Sequence, residues 1–255
     1  MTLDPGGLGL ELAMAVAAGL VGCFAVLRRM TLAADAMSHV ALPGIGLALL
    51  FRLQPLLGAL ATLLLGTLLI WGIERRTRLP IDTVVGVVFS AALAVGSLLT
   101  SGEELIDALF GGAGKVSGLQ SALGAAAALA VIAFVLASRD RLVVSLISPD
   151  IARTSGIRVA ALDLAFLVAF SLTVALGLRF LGVLLMGSLI IIPAATAKRL
   201  AGSLRSMFAI SVAIAVASAT AGTFLGAALH RPPGPIAILV ASAFFLVSLP
   251  RRRRA

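Results

Sequence analysis

In the stretch 28–50, RRMTLAADAMSHVALPGIGLALL, two side chains are equipped for chemistry: the carboxylate of Asp35 and the imidazole of His39. They stand four residues apart, so on a helix they share one face, one turn from each other. One oxygen and one nitrogen donor suit borderline first-row cations such as zinc, manganese or iron. The flanking residues are almost wholly apolar, and an ionisable group at membrane depth is costly and usually faces a protein interior or a pathway. Asp35 as a helix cap and His39 as a satisfied core histidine fit the same residues. From the residues alone, both possibilities stand.

The elements that would position this pair are membrane helices. Of 255 residues, 60% are hydrophobic and 12% charged, and the mean hydropathy is +1.14. A soluble domain is nearer half apolar and a quarter charged. Apolar runs of spanning length recur along the chain, at 8–27, 31–51, 55–73, 83–99, 121–137, 161–176, 180–196, 207–229 and 234–249. The expectation is an all-α, polytopic membrane protein of about nine (eight or nine) transmembrane helices, forming a single domain over 1–255. The second run is expected to break at Pro43-Gly44, and the sixth and seventh to part at a short turn over 177–179. The glycines of the stretch 101–118 would let part of it re-enter the membrane.

Charge placement orients the bundle. Sixteen of the twenty Lys and Arg fall on alternate connections, from Arg28-Arg29 to the closing run at 251–254, leaving Arg52, Lys115, Arg179 and Arg231 on the other side. By the positive-inside rule the richer side is cytoplasmic, giving an N-out, C-in topology with Glu103, Glu104 and Asp107 outward. The net charge of +9 therefore serves orientation in the bilayer, and nucleic acid is not an expected partner. Asp4 and Glu11 stand at the N-terminal end of the first run with no basic residue, the opposite polarity to a secretory signal, so a retained first helix is expected. A single cysteine, Cys23, excludes an internal disulfide and Cys-based zinc motifs.

Several motifs that would carry enzymatic chemistry fail on spacing. GGAGKVS at 111–117 resembles a phosphate loop, but that loop would need Gly at 109 and Ser or Thr at 116, where Leu109 and Val116 stand. There is no H-E-x-x-H, and the sequence neighbours Ser38 and His39 cannot face each other on a helix as nucleophile and base. Gly222 and Gly226 form a G-x-x-x-G, a weak signal of close helix packing. Pro193 removes a backbone hydrogen bond and is expected to kink its helix, which makes it a gating candidate. His230, at the outer rim, fits a solvated surface histidine.

Five segments in order, LRRMTLAADAMSHVALPGIGLALL (27–50), DTVVGVVFSAALAVGSLL (82–99), SPDIARTSGI (148–157), FLGVLLMGSLIIIPAATAKRL (180–200) and HRPPGPIAILVASAFFLVSL (230–249), carry a resemblance. The chain resembles the permease subunits of the zinc/manganese/iron family of ATP-binding-cassette importers. The resemblance implies that Asp35 and His39 bind the cation within the permease. It also implies that 148–157 is a cytoplasmic coupling helix docking on an ATPase. Locally, Ser148, Pro149 and Asp150 suit a helix start, Ala152 offers a small docking surface, and Gly156 suits the end.

The implied activity is ATP-driven import of a divalent transition-metal ion by alternating access, in a bacterial-type plasma (inner) membrane. The chain would be a transport subunit rather than an enzyme. The implied partners are a nucleotide-binding ATPase that holds the ATP, a second permease (identical or paralogous), an extracytoplasmic metal-binding protein and the lipid bilayer. The metal is cargo, and no permanently bound cofactor is expected. Two donors are too few for a tetrahedral site, so a two-fold axis joining two permeases would complete it. A proton-coupled cation carrier and a permease for a metal chelate or vitamin are the alternatives.

Overall fold

A computed structural model describes residues 5–77, 79–99, 118–181 and 183–250, and they are helical with no strand among them. The helices are α1 (Pro5–Leu27), α2 (Thr31–Val40), α3 (Leu42–Leu50), α4 (Pro55–Thr77), α5 (Ile81–Leu99), α6 (Gly118–Ile147), α7 (Pro149–Thr154), α8 (Val159–Leu181), α9 (Val183–Leu200), α10 (Leu204–Leu229) and α11 (Pro233–Ser248). Among the described residues, seven stretches are long and apolar enough to cross a membrane, α2 and α3 together making one of them. The apolar α11 is shorter. The expected acidic loop, the GGAGKVS segment, Lys115 and the closing arginines at 251–254 lie outside the described residues.

α1 is the centre of the bundle, packed against α6, α8, α9 and α10. Lipid tails give two helices no hydrophobic reason to associate, so close contact must come from small residues and interhelical hydrogen bonds. On α1, residues at every fourth position, Glu11, Ala15, Gly19 and Cys23, run antiparallel along α10. Thr223 donates to Glu11 Oε1 at 2.5 Å, and Ala15 packs with Ala215 and Ala219. Ser211 donates to the Gly19 carbonyl at 2.8 Å, and Cys23 Sγ approaches the Met207 carbonyl at 3.7 Å. The 222/226 glycine pair faces α11 and the turn before it: a methyl on Gly222 would press on Ala237 and Pro233, one on Gly226 on Arg231 and Pro233.

Two expected breaks move. The interruption in the second run falls at Ala41, two residues before Pro43. A proline ring clashes with the carbonyl four residues earlier, which here belongs to His39, so the ladder opens just after the Asp35–His39 pair. The turn expected over 177–179 is helical, and α8 continues to Leu181. Gly177 serves close approach instead, because a side chain there would overlap Met186 of α9.

Candidate functional site

α2 buries Ala33, Ala34, Ala36, Met37, Ser38 and Val40 in the bundle and leaves Thr31, Asp35 and His39 as its least covered stripe. Asp35 is exposed on the surface of the single chain and His39 is half-buried. The His39 ring meets Phe89 of α5 edge-on, with centroids 5.5 Å apart, and its buried Nδ1 has no hydrogen-bond partner among the described residues. A buried polar nitrogen with no partner is unusual, and an imidazole so placed is free to act as a ligand. Ser38 is fully buried and donates to the Ala34 carbonyl at 3.0 Å, so its hydroxyl is engaged in its own helix.

Among the described residues, no three His, Cys, Asp or Glu side chains stand together as a metal site. One chain therefore offers two donors on an open face. A groove of about 440 Å³ lies elsewhere, lined by Leu27, Val143, Leu146, Lys198, Ser203 and Met207 among others, and shares no residue with the pair.

The backbone of Asp35 rests on Gly187 of α9, with no room for a side chain between them. Gly187 is a residue the sequence reasoning missed as a site component. Its signal was visible, the second glycine of the apolar motif GVLLMGS at 182–188. Pro193 is buried inside α9, which runs through it from Val183 to Leu200.

The short helix α7 sits between α6 and α8. Ser148 caps it, its hydroxyl accepting from the Ile151 N–H at 3.3 Å. Pro149 occupies the first turn, and Asp150 pairs with Arg153 at 3.1 Å. Gly156 takes the left-handed conformation (φ 78°), and the Ile157 and Gly156 N–H groups close back on Ala152 and Arg153. Ala152 does not present a docking surface: it is fully buried, because its small side chain lets α7 settle on its neighbours. The outward apolar side chains are Ile151, 59% exposed, and Ile147, 78% exposed. The amino-acid string names both, but only the phase of a six-residue helix reveals which side faces out.

The model of the ABC 3 transport family matches residues 7–252. The manganese import system permease protein ScaB of Streptococcus parasanguinis is 30% identical over 250 residues, 95% of this chain and 89% of the relative. The high-affinity zinc uptake system membrane protein ZnuB of Haemophilus influenzae is 29% identical, over 92% of each chain. A solved structure described as PsaBC from Streptococcus pneumoniae in complex with Fab superposes with a TM-score of 0.82 at 29% identity, covering 95% of this chain and 89% of that one.

Proposed function

The chain belongs to the ABC 3 transport family, and on that premise we propose that it is the permease subunit of an ATP-driven importer of divalent transition-metal ions, manganese or zinc before iron. It is a multi-pass protein of the bacterial inner membrane and a transport subunit, with ATP hydrolysis left to a partner. The observation that carries the cargo is the open face of α2. There a carboxylate and an imidazole with one unpartnered nitrogen stand one turn apart in an otherwise apolar helix.

In this mechanism two permeases meet about a two-fold axis and juxtapose two Asp35–His39 faces. Carboxylates and neutral imidazoles replace part of the cation's water shell. The replacement is partial, since a cation held by a complete, rigid ligand set would not be released. An extracytoplasmic metal-binding protein delivers the ion. The paired ATPases act on α7 through Ile151 and its exposed neighbours, and the helices open the α2 faces to one side of the membrane at a time. Pro193, buried in the helix that backs Asp35, is placed to act in that motion.

Proteoliposomes holding this chain, its ATPase and its binding protein test the proposal. ATP-dependent uptake of manganese or zinc is expected from the native chain. In Asp35→Ala/His39→Ala it should vanish while assembly and ATP hydrolysis survive. Full uptake by the double variant would return Asp35 and His39 to packing roles.

A further inference from the structure

Among the described residues, one ion pair joins two different elements. The Arg28 guanidinium donates to the Asp163 carboxylate at 2.8 Å, with side chains 11% and 34% exposed. The same guanidinium lies over the Phe166 ring, 4.6 Å from its centroid. Asp163 and Phe166 are three residues apart, so Arg28 grips one face of α8 at two points. Phe166 is fully buried and packs against Phe24 and Phe170. Glu74, near the end of α4, adds a second carboxylate, attracted by Arg28 and repelled by Asp163. A shielded ion pair is weak evidence of a role in stability, because apolar residues of similar volume often do as well.

The pair lies between the two regions that transport must connect. From α7 the chain passes through Gly156 directly into α8, whose first turn is held to α4 by the Trp71 indole donating to the Ala160 carbonyl at 3.1 Å. Asp163 follows within one turn. On the other side, Arg28 closes α1. The corner after it is fixed by N–H bonds from Arg29 to the Val26 carbonyl and from Met30 to the Ala25 carbonyl, 3.3 and 2.9 Å, with Arg29 left-handed at φ 59°. That corner leads straight into α2, with Asp35 one turn beyond its first residue, Thr31.

We propose that the Arg28–Asp163 ion pair passes movement of α7 and the start of α8 to α2, making both residues positioning residues for the Asp35–His39 face. The proposal rests on the permease function above. As the first turn of α8 shifts with α7, the guanidinium, held by both Asp163 and Phe166, takes the stiff α1–α2 corner with it.

The test measures manganese uptake and ATP hydrolysis together in proteoliposomes of the full complex. Asp163→Asn keeps the shape and removes the charge. It is expected to assemble and hydrolyse ATP while ions moved per ATP fall about tenfold. Asp163→Glu restores most of the loss. Arg28→Gln/Asp163→Asn is no worse than Asp163→Asn alone, since the two residues act as one link. An unchanged ratio of ions to ATP in Asp163→Asn overturns the link, as do losses that multiply in the double variant. If Asp163→Asn does not assemble, Arg28→Gln decides, because it removes the charge from the other side of the ion pair. A lowered ratio in its assembled complex supports the link, and a native ratio overturns it. A native complex without ATP-driven uptake would instead remove the permease function itself.

Discussion

Gly187 and Asp35 are in backbone contact, so close that a methyl group on Gly187 would stand 2.7 Å from the Asp35 α-carbon. Helix α9 thus sets how far the carboxylate-bearing turn of α2 stands out from the bundle. Gly187→Ala should push that turn outward and cost about 1–3 kcal/mol of stability, the usual range for overpacking. Gly22→Ala is the control: its methyl would meet the Ile190 carbonyl at least as tightly, but across the α1–α9 contact and not against α2. Thermal melting should show both variants weakened. Metal uptake per folded complex should fall in Gly187→Ala alone, and equal uptake in the two would separate the contact from transport.

The exposed isoleucine of α7 and its buried alanine neighbour predict opposite phenotypes. Ile151→Ser should leave the melting temperature unchanged and weaken association with the ATPase. An apolar anchor at the centre of an interface is typically worth about 2 kcal/mol or more. Ala152→Leu should do the reverse first, lowering the melting temperature because the added carbons would have to enter a fully buried seat. Copurification of the ATPase beside melting curves separates the two.

The helical fold and the D-x-x-x-H pair were legible in the sequence because both are local: apolar length fixes a membrane helix, and a spacing of four fixes a shared face. What escaped depends on how turns and helices meet in space. Pro43 announces a break, yet the break falls at Ala41 because the clash acts on the preceding turn. Gly177 reads as a turn residue, while its actual task is to admit Met186. Ala152 reads as a small surface residue and is a buried seat. Asp163 reads as one more polar residue near a helix start until Arg28 is found opposite it.

Arg52 and Gly156 both follow a helix in the left-handed conformation, at φ 56° and 78°. The N–H groups of Arg52 and Leu53 close back on the Leu49 and Ala48 carbonyls, the pattern that Gly156 and Ile157 repeat after α7. Left-handed backbone costs a residue with a β-carbon roughly 1–2 kcal/mol, partly recovered at Arg52 by its charge at the negative end of α3. Gly156→Ala should therefore lose about 1 kcal/mol. Arg52→Gly should gain somewhat less than that, since glycine is also freer when unfolded. Unfolding in detergent measures both, and shifts of the same sign would contradict the assignment.

Thr67 of α4 and Ser171 of α8 are fully buried and hydrogen-bonded to each other through their hydroxyls. Removing one leaves the other to find a partner. In water-soluble cores an orphaned buried hydroxyl costs about 1–3 kcal/mol. Within membranes, interhelical pairs measured by double-mutant cycles average about 0.6 kcal/mol, because a lone hydroxyl can turn to its own helix backbone. Thr173 already does so, donating to the Ala169 carbonyl at 2.8 Å. The smaller value should hold here. Thr67→Val and Ser171→Ala should each cost less than about 1 kcal/mol, and the double variant should be no worse than either single one. A coupling well above 1.7 kcal/mol in a reversible unfolding assay would mean that Ser171 cannot reach its own helix and that the pair is a main fastening between α4 and α8.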